Sequence, residues 1–154
     1  MILVFMYVSA MSKSKKELAN AIEDRSDMIF IHICKLLLYQ HSAYCDHWKH
    51  EIYGFMPRMK RLKKTNKLPS KEFISSIMLD NLDGMVFQFM AEAIADEDDY
   101  DYDDSVSDKV VQEVCEKYVT WLSEKLSTVG FVTNAEVKVK LSELITWVNS
   151  ISQN

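Results

Sequence analysis

The sequence predicts an all-α fold, an irregular bundle of about five helices interrupted by one acidic loop. Apolar residues recur at steps of three and four through most of the chain. Two prolines and three glycines in 154 residues are too few turn formers for a sandwich or barrel, which turns about every 8–12 residues. A content of 48% hydrophobic and 27% charged residues suits a chain that folds around a core. No apolar run approaches the roughly 18 residues that would span a bilayer, so no membrane contact is expected. A chain of this length makes one helical domain, 1–154, burying roughly two-thirds of the surface it exposes when unfolded.

The first helix is expected over 13–40. Leu18, Ala21, Ile22, Ile29, Ile33, Leu36 and Leu37 share one stripe, and 28–38 is apolar on nearly every side, so this helix should be central. Asp24-Arg25-Ser26-Asp27 is a polar interruption where two shorter helices could meet. A second helix, 42–55, places Tyr44, Trp48, Ile52 and Phe55 on one face; Pro57, tolerated in a first turn, opens a short helix carrying Met59 and Leu62. Ser70 caps a third whose pattern runs unbroken from Ile74 to Ala93, through Asp83-Gly84. That pair is also a hairpin signal, but its flanks keep a helical period. Ser107 caps a fourth helix that Gly130 stops. Thr133 and Glu136 form a capping box for a fifth, with Val132 and Val137 as its staple and Val137, Leu141, Leu144, Ile145, Val148 and Ile151 facing inward.

The net charge of −5 is unremarkable, but the charge is segregated along the chain. Between Lys49 and Lys71 there are eight basic residues against Glu51 alone; between Glu92 and Glu116, eleven acidic residues face only Lys109. The basic patch Arg58, Lys60, Arg61, Lys63, Lys64 and Lys67 has few aromatics to stack on bases, and the negative net charge disfavours nucleic acid. It can instead pair with the acidic loop, 96–106, within one molecule or between two copies of a homo-oligomer. In that loop Asp98, Asp99, Asp101, Asp103 and Asp104 are interleaved with Tyr100 and Tyr102. Carboxylates steer a cationic partner and tyrosine rings anchor it, so these residues are the expected partner-binding site. Repulsion among them predicts an extended, mobile loop.

Three cysteines without framework spacing point to a reducing, cytoplasmic setting. Met1–Ala10 lacks the positive start of a secretory signal and reads as an upstream extension before an ordinary start at Met11. His41, Cys45, His47 and His50 offer two pairs of metal ligands at helical spacing. Cys45 and His47, however, stand roughly 200° apart around a helix, so one straight helix cannot aim both pairs at one ion, and no metal or other cofactor is expected. Phosphate loops, nucleophile elbows and Cys-x-x-Cys pairs are absent, and the acidic loop lacks the glycine an EF-hand requires.

Arg25 and His32, two helical turns apart, resemble the Arg-(four to six)-His motif of HEPN-type helical ribonucleases, with Ser26 in place of the usual Asn, Asp or His. The resemblance covers eight residues. It implies metal-independent RNA cleavage by 2′-hydroxyl attack, with Arg25 and His32 as the catalytic pair. The leading expectation is different: a small non-enzymatic inhibitor, immunity or counter-defence factor of bacterial or phage type, neutralising a basic protein partner through the acidic loop. A nucleic-acid or regulatory module working through Arg58–Lys67 is the third.

Overall fold

Among the described residues the apolar spacing is realised in six helices. The computed structural model describes residues 13–59, 61, 66–97 and 101–151, and among these no strand occurs and no helix is long and apolar enough to cross a membrane. The helices are α1 (Lys13–Leu38), α2 (Cys45–Gly54), α3 (Lys71–Leu82), α4 (Val86–Asp96), α5 (Asp108–Thr128) and α6 (Asn134–Ile151). Met1–Ala10, expected to be an upstream extension, lies outside the described residues.

α1 is the hub, packing against α2, α3, α4 and α5. Its residues 29–38, and Tyr39 just after it, are all buried, as the apolar run from 28 onward requires. The polar interruption at 24–27 stays helical. Ser26 turns its hydroxyl back onto the Ile22 carbonyl at 2.6 Å, while Asp24, Arg25 and Asp27 face solvent, so no backbone break is needed.

The third expected helix is two. α3 closes at Leu82, where the Asp83 N–H donates to the Leu79 carbonyl, and Gly84 takes φ +71° before α4 begins. A helical period on both flanks cannot distinguish one long helix from two that pack on the same core. The Asp-Gly pair decided it, since a positive φ ends a helix at little steric cost for glycine. Both halves now pack against α1 and α5.

Pro57 opens no helix. Residues 56–59 run without regular structure, Met56 and Met59 are buried, and the Met59 N–H donates to the Gly130 carbonyl at 2.8 Å, stitching this segment to the α5–α6 link. Leu62 lies outside the described residues.

The caps form as the sequence implies. Ser70 accepts from the Phe73 N–H at 3.1 Å and Ser107 from the Val110 N–H at 3.2 Å. At α6 the Thr133 N–H donates to Glu136 Oε2 at 2.9 Å and the Glu136 N–H to Thr133 Oγ1 at 3.2 Å, the reciprocal box. Val137, Leu141, Leu144 and Val148 of α6 are buried, whereas Ile151 at its end is exposed. α6 packs on α2 and α5, and Tyr118 of α5 lies at the centre, its hydroxyl 3.5 Å from the Met56 sulfur.

Candidate functional site

Two clusters gather the residues singled out from sequence: one where α2 crosses α1, the other at the C-terminal end of α1. Arg25 and His32 share a face of α1, as two turns of helix demand. Their side chains have different occupations. The Arg25 guanidinium is exposed and donates to the Met56 carbonyl at 3.4 Å. The His32 ring is only 3% exposed and packs on the Phe55 ring with centroids 5.2 Å apart. Its Nδ1 lies 2.7 Å from the Met28 carbonyl, and its Nε2 meets Glu51 Oε2. The second carboxylate oxygen of Glu51 lies 2.8 Å from Nε2 of His47, whose own side chain is well exposed. Glu51 therefore bridges two imidazoles, one buried and one at the surface.

Glu51 belongs to no local motif, because it pairs with His32 across 19 positions and with His47 at ordinary helical spacing. One sequence signal did exist: it is the single carboxylate in an otherwise basic stretch from Lys49 to Lys71.

The four candidate metal ligands are not brought together. His41 is exposed in the turn before α2. Cys45 donates its thiol to the Tyr39 carbonyl at 3.3 Å, and burial pushes that thiol above its ordinary range. His47 is taken by Glu51, and the His50 ring lies beside Tyr53 at 6.0 Å. Among the described residues no group of three or more histidine, cysteine or carboxylate side chains is arranged to hold a metal ion.

The acidic loop is fastened at both described ends. Before it, Lys35 is nearly buried and places its ammonium 3.4 Å from Asp96 Oδ2 and 3.2 Å from Glu97 Oε1. After it, the Asp103 N–H donates to the Leu38 carbonyl at 2.8 Å, and the half-buried Tyr102 ring meets Tyr39 edge-on at 6.4 Å. Asp103 in turn accepts from the Ser105 N–H at 3.0 Å. Asp101, Asp103 and Asp104 keep their side chains exposed. Within the loop expected to be extended and mobile, Asp103 thus meets an orphan helix carbonyl and Tyr102 an aromatic ring, while Lys35 neutralises the carboxylates at 96 and 97. Lys35 has a further effect there, since carboxylates beside a helix C-terminus otherwise oppose its dipole. Asp98, Asp99 and Tyr100 lie outside the described residues.

Of the basic patch, Arg58, Arg61 and Lys67 are described and exposed, and Arg61 donates to the Asn66 carbonyl at 3.1 Å. Lys60, Lys63 and Lys64 lie outside the described residues. Comparison with protein-family models, curated proteins and solved structures finds no match.

Proposed function

We propose that the chain is a non-enzymatic binding protein, an inhibitor, immunity or counter-defence factor of bacterial or phage type acting in the cytoplasm, that neutralises a basic protein partner through its acidic loop. The observation that carries this reading is the anchoring of the loop on α1. Asp101, Asp103 and Asp104 present exposed carboxylates on a segment held by Leu38 and Tyr39, with Lys35 fixing its start. Fixing the carboxylates in advance lowers the ordering cost of association, which runs to about 0.5–1.5 kcal/mol per immobilised side chain. Concentrated negative charge adds steering, which raises the association rate toward a cationic surface.

The ribonuclease reading draws less from the geometry. Both ring nitrogens of His32 are engaged within the chain, so neither faces a substrate hydroxyl, and Arg25 is directed to a backbone carbonyl. A general base must reach the proton it removes.

The test is capture from lysate in parallel with wild type and with a variant carrying Asp98, Asp99, Asp101 and Asp104→Asn. A basic protein retained only by the wild type, with an association rate that falls steeply with salt, supports the reading. Equal retention by both forms, or RNA cleavage in EDTA that His32→Ala abolishes in a folded protein, overturns it. Size measurement across salt concentrations reports separately on self-association of the two charge segments.

A further inference from the structure

A helix on the surface of a bundle turns one stripe to the core and covers the opposite side with polar groups. α4 does the first and not the second. Val86, Phe89 and Ala93 are buried, and Gln88, Glu92 and Asp96, four apart, form a single polar row along one flank. The five positions that remain, Phe87, Met90, Ala91, Ile94 and Ala95, are all apolar. Phe87, Ala91 and Ala95 lie on the outward side and are exposed, while Met90 and Ile94 are half-buried at its edge. Phe87 is 72% exposed, more than any other large apolar side chain among the described residues. A continuous apolar face bordered by polar residues marks a surface that meets something else.

The charge around this face has one sign. From residue 72 to residue 108 the sequence holds twelve carboxylate side chains and no lysine or arginine, so α4 lies inside a wholly acidic stretch. Glu92 is held on the flank by Gln88, whose amide donates to it at 3.4 Å. Next to it stands Asp27 of α1, which accepts from Asn81 Nδ2 at 3.2 Å. Burial, and then the nearness of Glu92, raises the Asp27 carboxyl above its ordinary value, so the two acids stand close enough to oppose each other. Lys35 is taken by Asp96 and Glu97, where the helix passes into the acidic loop.

We infer that the outer face of α4 receives an amphipathic helix of the basic partner, with that helix's apolar side on Phe87 and its lysines or arginines over Glu92 and the start of the acidic loop. The inference rests on the reading of the chain as a binder of a basic protein, and it supplies the apolar anchor that exposed carboxylates lack. Apolar side chains at 87, 90/91 and 94/95 repeat over two turns, the spacing at which a second helix presents its own apolar row. Phe87 offers a large ring and Met90 an adaptable thioether. Charge decides between occupants. A second copy docked through the same face would set one acidic row against another, whereas a cationic helix relieves the crowding of Glu92 and Asp27.

The probe is a synthetic peptide of about 15 residues, with leucines at helical spacing and lysines between them, beside a peptide of the same composition in scrambled order. The patterned peptide should bind, gain helicity on binding, and move backbone amide NMR signals of α4 in the wild type. Phe87→Ser should weaken it about tenfold or more at an unchanged thermal midpoint, and Val139→Ser, which removes an exposed apolar side chain of α6, should not. Equal binding of the scrambled peptide, or Phe87→Ser binding as tightly as wild type, overturns the inference. Self-association of the wild type that Phe87→Ser abolishes gives the face to a second copy and overturns it too. The asparagine variant of the loop separates this inference from the reading beneath it. Binding lost in that variant but kept by Phe87→Ser overturns the α4 face and leaves the loop; binding kept in that variant but lost in Phe87→Ser supports the face and removes the loop's role.

Discussion

A buried thiol differs from an exposed one in the cost of its thiolate, and the three cysteines separate on that ground. Burial pushes the Cys34 thiol up to about 12 and the Cys115 thiol well above its ordinary value, the latter also by the nearness of Cys34. Cys45 is partly accessible and is raised less sharply, although its thiol donates to backbone carbonyls of the α1–α2 turn. A thiol reagent at neutral pH should therefore label one site in the native protein, Cys45, and two more only as the chain unfolds. Mass mapping checks the order; rapid native labelling of Cys34 or Cys115 would show that the core around α1 and α5 opens. At this scale the sequence was informative for apolar residues and poor for polar ones. The inward stripe of α1 follows from spacing alone, since each apolar side chain is buried by the same helix rotation. The partnership of His32 with Glu51 depends on where α2 crosses α1, which no local pattern encodes. The histidines stand out in the sequence as possible ligands or catalysts, and the carboxylate that joins two of them does not.

Elements were legible where a local signal decides their ends and illegible where the ends depend on tertiary packing. Ser70, Ser107 and the Thr133–Glu136 box satisfy orphan backbone donors with their own side chains, so composition alone locates those helix starts. Thr133→Ala should lower stability by about 1 kcal/mol in denaturant titrations, the usual cost of a lost cap. The Thr133 backbone N–H, with Lys125 nearby, holds the Glu136 carboxyl below its usual range. Its contribution is therefore present above the ordinary carboxylate value and lost as pH falls through the depressed one, and Glu136→Gln should flatten that part of the acid limb. The split between α3 and α4 and the stop after α5 both turn on glycine. Gly84 at φ +71° has open space around an added Cβ, whereas at Gly130, with φ +90°, a Cβ would stand 3.2 Å from Leu68 Cδ2 and 3.2 Å from the Met59 carbonyl. Gly84→Ala should cost about 1 kcal/mol, from the left-handed backbone alone. Gly130→Ala should cost more, because displacing the Met59 carbonyl also strains the bond that the Met59 N–H donates to the Gly130 carbonyl. Equal losses for the two variants would show that the Met59–Gly130 stitch contributes nothing.

Across the whole molecule, the segregation of charge puts an acidic loop on the end of the helix that organises the core. α1 carries the core in its middle, the His32–Glu51 contact toward α2, and Lys35, Leu38 and the adjoining Tyr39 at its end as the seat of the loop. Tyr39 also lies 6.1 Å from Trp48 of α2, so one ring joins the loop, α1 and α2. Charge patterning located the loop but could not show this seat, because the anchors are a backbone carbonyl and a lysine distant in sequence. Tyr102→Ala removes a half-buried ring from Tyr39 and should lower stability by about 1 kcal/mol, a share of what full aromatic burial contributes. It should also weaken partner binding, by freeing the segment that presents Asp101, Asp103 and Asp104. Replacing Asp104 with asparagine removes exposed charge while sparing the Asp103 contact with Ser105. That variant should keep its thermal midpoint and lose association rate, with a shallower dependence on salt. Unfolding curves together with stopped-flow or surface-plasmon kinetics against the captured partner separate the two effects. If Tyr102→Ala leaves both stability and dissociation unchanged while the charge variant alone slows association, the loop acts only through its field. If the charge variant associates as fast as the wild type at every salt concentration, the partner must be meeting another face, and Arg58, Arg61 and Lys67 are the next to be neutralised.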